Sequence, residues 1–125
     1  DNLRKLRILA ENPSDVFKSD FIIHNAALRL LQISIEGCIS IANHIISRKN
    51  LPLPNDYADA FDILEKHNIT GNSIGLKKMI RFRNRIVHVY WDIDLEFVYS
   101  LIKNGLSDVD NYISEIQRFI ENDKG

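Results

Sequence analysis

One long stretch of helical periodicity constrains this chain more than any other feature. From Ser19 or Asp20, either of which is a good N-cap, to Arg48, apolar residues recur at steps of three and four. No proline interrupts the stretch, and no segment of the chain alternates apolar and polar residues for long enough to predict a strand. We therefore predict one long helix, the second of the chain, over these residues. Its apolar stripe consists of Ala27, Leu31, Ile35, Cys38, Ala42, Ile45 and Ile46.

The apolar surface of this helix is wider than a single face. The residues that widen it are Leu28, Leu30, Ile33, Ile39 and Ile41. A helix that is apolar around so much of its circumference is expected to be buried on several sides, which in a chain of 125 residues suggests that a second chain packs against it. Polar residues interrupt the run, so we do not expect a clean membrane span. These are Arg29, Gln32, Glu36, Asn43 and His44.

The remaining helices are bounded by prolines, glycines and capping residues. We predict a first helix over residues 2–11, a third over 56–67, a fourth from about Ser73, and a fifth over 95–122 that is kinked at Asn104-Gly105. All three prolines fall between the periodic stretches. The pattern predicts an all-α fold, an antiparallel bundle of four to five helices, and a single domain over residues 1–125.

Composition excludes several classes of function. The net charge of −1 and the pI near 6.5 exclude nucleic-acid binding through bulk positive charge, so any anion site must be local. Cys38 is the only cysteine, and the first residues do not resemble a signal peptide, so we expect a soluble cytoplasmic protein. The histidines and the cysteine lack metal-ligand spacing, so neither a metal nor another cofactor is expected.

The fourth helix carries an unusual set of polar residues. On a helical wheel, Lys77, Arg81, Asn84, Arg85 and His88 fall on one side. The segment 77–85 contains five basic residues and no acidic one, which makes a compact positive stripe suited to phosphates. The alternative interpretation is a solvated helix face with basic residues near its C-terminal end.

Arg83 is out of place in this pattern, because it falls in the middle of the apolar side of the wheel. Burying a guanidinium without a partner is costly. Arg83 must therefore pair with a carboxylate, for which Glu36 is one candidate, or face an interface or a cleft. On an ideal helix Arg83 and His88 point roughly 140° apart. To reach one phosphate together, either the helix unwinds near His88 or a second chain completes the site.

The motif resembles a known family. Arg83-x-x-x-x-His88-x-Tyr90 is similar to the Arg-x4-His-x-Tyr motif of HepT-type toxins in the HEPN superfamily, and Asn84 matches the polar residue that follows the motif arginine. The segment 31–46 resembles the long second helix of that family. The resemblance implies a HEPN helical bundle that dimerises through the second helix and the motif helix, bringing two motif copies into one cleft.

The resemblance also implies a function. It implies the toxin of a type II toxin–antitoxin system, a metal-independent endoribonuclease that cuts RNA and not DNA, with a nucleotidyltransferase-type antitoxin as partner. Arg83, His88 and Asn84 would be catalytic, and Tyr90 would be the point at which the partner adds AMP. Three basic residues would contact RNA: Lys77, Arg81 and Arg85.

Two other interpretations stay open at this point. One is a non-catalytic helical module that binds a nucleotide or a nucleotidyltransferase through the same cleft. The other is a structural bundle in which Arg83 only pairs within the core.

Overall fold

The structure, a computed structural model, describes residues 2–88 and 93–123, with His88 described by its backbone only. This part of the chain contains no strand, which confirms the predicted all-α class. Its helices are α1 (Asn2–Leu9), α2 (Ser14–Ser19), α3 (Phe21–Arg48), α4 (Tyr57–Lys66), α5 (Ser73–His88), α6 (Leu95–Asn104) and α7 (Ser107–Asn122).

Aspartate side chains cap the N-termini of three of these helices. Asp20 accepts a backbone N–H of the first turn of α3 at 3.0 Å. Asp56 does the same for α4 at 2.7 Å, and Asp94 for α6 at 3.0 Å. Each carboxylate satisfies donors that have no partner inside the helix and favours the positive end of the helix dipole. The predicted starts of these three helices are confirmed to within a residue or two.

The short helix α2 is absent from the sequence prediction. It follows Pro13, which takes an extended backbone conformation at the N-cap position without a side-chain hydrogen bond. Six residues are too few to show a helical periodicity, so no pattern marks them. The helix is instead held by tertiary packing, because Phe17 is fully buried and its ring centroid lies 5.2 Å from that of Tyr99.

The predicted fifth helix is two helices rather than one kinked helix. Gly105 caps α6, and its N–H donates to the Leu101 carbonyl at 2.7 Å. A Cβ at position 105 would lie 2.9 Å from that carbonyl oxygen, closer than real Cβ atoms approach. The glycine therefore permits a close backbone approach that ends the helix, and α7 begins two residues later.

The chain divides into two compact units. The first comprises the residues up to Glu36 together with those from Arg81 to Leu106, and the second comprises Gly37–Ile80 together with the residues from Ser107 onward. In the first unit, the fully buried large side chains include Leu6, Phe17, Leu31, Val98 and Ile102.

In the second unit, the largest fully buried side chain is Tyr112. The Phe61 ring meets it edge-on, with 5.4 Å between the ring centroids. The Tyr112 hydroxyl donates to the Cys38 carbonyl at 2.9 Å, and burial raises the pKa of this phenol. Burial also raises the pKa of the Cys38 thiol to about 11. A buried, protonated thiol is consistent with the predicted role of Cys38 as a small core residue.

Helix α3 is the longest and most apolar element of the described chain. Its most apolar 18-residue window has a mean hydropathy of 1.2, and 39% of that window is buried. By length and composition alone it could cross a membrane, but core helices of soluble proteins meet the same test.

Candidate functional site

The motif helix α5 starts at a loop that carboxylates hold in place. Within the second unit, the Gly71 N–H donates to Glu115 at 2.8 Å and the Ser73 N–H donates to Glu65 at 3.2 Å. Asn72 takes the left-handed backbone conformation, with φ at 52°, which asparagine tolerates better than most residues. These contacts fix the point from which α5 runs to His88.

The two sides of α5 largely match the helical wheel. In the first unit, Arg81, Asn84 and Arg85 are exposed, whereas Phe82 and Ile86 are buried. Val87 is an exception, because 41% of it is exposed although it is an apolar residue on the side of the wheel that carries Phe82 and Ile86.

Lys77, a predicted RNA contact, has a partner of its own. In the second unit, its ammonium lies 3.1 Å from the carboxylate of Asp62. Part of the positive charge of the predicted stripe is thereby balanced within the chain.

Arg83 is paired with Glu36, the candidate that the sequence suggested. The Arg83 Nη2 and Nε donate to Oε2 of Glu36 at 2.7 and 3.1 Å. Only 16% of the arginine side chain and 36% of the glutamate side chain are exposed. The partly buried cation on the apolar side of α5 is therefore compensated from α3, which lowers the cost of its burial.

The third nitrogen of the guanidinium extends this arrangement to the exposed side of α5. The Arg83 Nη1 donates to Oδ1 of Asn84 at 3.2 Å. The structure thus brings together two of the three predicted catalytic residues, Arg83 and Asn84. Asn84 is exposed, whereas the Arg83 side chain is only 16% exposed and is paired with Glu36.

Glu36 is held in its ionised form by its neighbours. The hydrogen bonds from Arg83 are the main reason that the pKa of this carboxyl is lowered, and they outweigh the burial that would raise it. Gln32 adds a hydrogen bond to the same oxygen at 3.4 Å, and the charge of Arg29 acts in the same direction. The contact of Gln32 is not among the predicted ones, although its spacing of four residues from Glu36 on one helix is a signal for it.

The structure does not describe two of the predicted site residues completely. Tyr90 is outside the described residues, as is the side chain of His88. The backbone of α5 is helical through His88, so the helix does not unwind before the histidine. Among the residues that the structure describes, no cluster of three or more His, Cys, Asp or Glu side chains could hold a metal ion.

Comparison with known proteins identifies the family. The profile of the ribonuclease HepT-like family matches residues 1–116. The chain belongs to this family. The predicted family and its ribonuclease class are thereby confirmed. One HepT-like relative, the mRNA nuclease HepT of Shewanella oneidensis, is 34% identical over 103 residues, covering 81% of this chain and 77% of that protein. Another, the tRNA nuclease HepT of Aphanizomenon flos-aquae, is 30% identical over 96% of this chain and 81% of the relative.

Solved structures of HepT-like and related proteins share the fold. A tri-AMPylated HEPN toxin of Shewanella oneidensis, in complex with an MNT antitoxin, has a TM-score of 0.87 and 30% identity, with 94% of this chain and 89% of that chain covered. YutE of Bacillus subtilis, a cytosolic protein of unknown function, has a TM-score of 0.83 and 25% identity, covering 98% of this chain and 86% of its own. The HEPN fold predicted from the motif is confirmed.

Replacing Arg83 with methionine should raise the pKa of Glu36, because the hydrogen bonds from Arg83 are the main cause of its lowered pKa. NMR titration of the labelled glutamate carboxyl carbons measures this directly. A lowered native pKa stabilises the fold at pH values above the unfolded pKa of about 4.3, and that stabilisation is lost as the pH falls through the native pKa.

The acid-induced loss of stability should accordingly be smaller in the Arg83→Met variant than in the native chain. The carboxyl signal of Glu96, an exposed glutamate 2.7 Å from Lys18, serves as the internal control. An unchanged Glu36 titration would show that the ion pair does not form in solution.

Proposed function

We propose that this chain is the toxin of a type II toxin–antitoxin system and that it cleaves RNA as an endoribonuclease without a metal ion. The observation that carries the proposal is the guanidinium of Arg83, which Glu36 holds on the inward side of α5 and which donates to the exposed Asn84. Membership of the ribonuclease HepT-like family gives this arrangement its chemical meaning. We take residues 1–125 as one HEPN domain that acts in the cytoplasm, and the structural neighbour YutE is a cytosolic protein.

The reaction uses the 2′-hydroxyl of the RNA as nucleophile. Its oxygen attacks the adjacent phosphorus while the bond from phosphorus to the 5′ oxygen breaks, which leaves a 2′,3′-cyclic phosphate and a 5′-hydroxyl. His88 takes the proton from the 2′-hydroxyl or delivers one to the departing 5′ oxygen. Histidine suits either role, because its unperturbed pKa lies near neutrality. Arg83 stabilises the negative charge that develops on the phosphoryl oxygens, and Asn84 orients the phosphate or His88.

The exposed basic residues of α5 serve to hold the RNA backbone. Arg81 and Arg85 lie on the exposed side of the helix, next in sequence to the site. Lys77 is half-buried and paired with Asp62, so it must leave that carboxylate to contribute to RNA binding. Phosphate contacts of this kind position a nucleic acid without selecting a sequence.

Purified native chain should degrade RNA in the presence of EDTA, and the Arg83→Ala and His88→Ala variants should lose at least about 100-fold in rate, since each removes a group that acts in the transition state. Gel analysis of a labelled RNA measures the rate. A copy of that RNA with a 2′-deoxy residue at the cleavage site should stay intact at that position.

Matched controls are available on the same chain. Arg118→Ala removes an exposed arginine whose Nε donates to the carbonyl of Ser114 in its own helix, and His67→Ala removes an exposed histidine at the end of α4. Both should keep native activity. If the native chain leaves RNA intact but binds a nucleotidyltransferase tightly, the non-catalytic module is the correct interpretation.

The active form in this proposal is a homodimer with a composite site. The backbone of α5 is helical through His88, and on an ideal helix positions 83 and 88 point roughly 140° apart. Two copies of the motif can therefore place an arginine and a histidine on one phosphate where one copy cannot. The first unit also exposes several large apolar side chains, which is typical of a surface that packs against a partner. They are Phe21, Ile22, Ile33, Val87 and Phe97.

The Ile33→Asp variant should be monomeric and inactive, because it places a charge among the exposed apolar side chains that we assign to the dimer contact. Light scattering should give twice 14.5 kDa for the native chain and 14.5 kDa for the variant. Ile120→Asp changes an exposed isoleucine of α7 in the second unit and should remain a dimer. A native monomer that cleaves RNA would contradict the composite site.

The partner in this proposal is a nucleotidyltransferase-type antitoxin that adds AMP to Tyr90. Support comes from the solved relative, a tri-AMPylated HEPN toxin in complex with an MNT antitoxin. Tyr90 lies two residues beyond His88 in sequence. An added AMP brings negative charge and bulk beside the catalytic motif, which repels the RNA backbone.

Co-expression with a nucleotidyltransferase encoded beside this chain should add AMP to the native chain and abolish its ribonuclease activity, because the new charge repels RNA. Intact-mass spectrometry and the RNA assay measure the two effects. Tyr90→Phe should gain no AMP, whereas Tyr99→Phe, altered at the tyrosine whose hydroxyl donates to the Asn12 carbonyl, should be modified normally. Modification of the Tyr90→Phe variant would place the target elsewhere.

A further inference from the structure

Glu36 binds one edge of the Arg83 guanidinium. Both the Nε and the Nη2 of Arg83 donate to the same oxygen of Glu36, which also accepts from Gln32. Two donors on one acceptor fix the plane of the guanidinium about its long side chain. The opposite nitrogen, Nη1, is thereby turned toward Asn84 on the exposed side of α5.

Stability alone gives little reason for this pair. A partly buried ion pair contributes little net free energy, because the removal of both charges from water offsets most of their attraction. The carboxylate also partly neutralises an arginine whose proposed role is to bind a phosphate, so it does not strengthen phosphate binding through charge. What the carboxylate adds is orientation, since an arginine side chain otherwise samples many rotamers.

We propose that Glu36, supported by Gln32, is the positioning residue of the ribonuclease site. It holds one edge of the Arg83 guanidinium so that the other edge meets the phosphate in the transition state without reorganising. This inference rests on the proposed ribonuclease function and adds to it a residue outside the Arg-x4-His-x-Tyr motif. Glu36 does not touch the substrate, and its effect passes through Arg83.

The test combines kinetics with a measurement of the arginine itself. Glu36→Gln keeps the size of the side chain and removes its charge. Its kcat on a labelled RNA should fall roughly 10- to 100-fold with little change in KM, because misplacement of a catalytic group affects the transition state most. NMR relaxation of the Arg83 Nε–H should show greater motion in this variant. Glu96→Gln, made at the exposed partner of Lys18, is the matched control and should change neither quantity.

A second background separates positioning from general support of the fold. In an Arg83→Lys chain, which keeps the charge and loses the planar guanidinium, Glu36→Gln should cause almost no further loss of kcat. A loss as large as in the native background would assign Glu36 a structural role and overturn the inference. So would unchanged Arg83 motion in Glu36→Gln. Unfolding midpoints of all variants identify losses that come from misfolding.

The two proposals fail in different ways. A folded native chain that does not cut RNA overturns the proposed function. A native chain that cuts RNA, with a Glu36→Gln variant of equal kcat, overturns only the role of Glu36.

Discussion

The charge of Arg83 is the constraint on which the site depends. The guanidinium sits on the inward side of α5, and the carboxylate of Glu36 compensates it from α3 at 2.7 Å. A cation in that position without a counter-charge would be strongly destabilising. Glu36 on the longest helix therefore lowers the cost of placing an arginine on this side of α5. It also decides which edge of the guanidinium remains directed toward Asn84.

The two sides of α5 divide the work of the motif. Arg81 and Asn84 are exposed and can reach a ligand from solvent, whereas Arg83 lies on the inward side with 16% of its side chain exposed. A helix that stays regular through His88 keeps these directions apart. This helical geometry is the reason that we propose assembly of the site from two chains, with the exposed apolar side chains of the first unit as the contact surface.

The sequence predicted well what depends on periodicity, caps and charge. The long helix α3, its cap at Asp20 and Glu36 as one candidate partner of Arg83 followed from spacing and from the cost of burying a charge. Helix α2 could not be predicted, because Phe17 stabilises it through packing that six residues do not reveal.

The end of α6 and the exposure of Val87 could not be predicted from the sequence either. The first depends on a close backbone approach at Gly105, and the second on which side of a helix has neighbours within the chain. A helical wheel gives the direction of a side chain but does not show which residues pack against it. For the same reason Gln32 was missed, since its contact with Glu36 matters only once Arg83 is in place.

The burial of Cys38 has a practical consequence for work on this chain. Its thiol is the only one in the sequence, is 6% exposed, and has a pKa of about 11. Since the thiolate is the reactive form, maleimides and similar reagents should not react with this thiol at neutral pH. A cysteine introduced at any exposed position would then be labelled alone, so a fluorophore or spin label can be attached without first removing the native residue from the core.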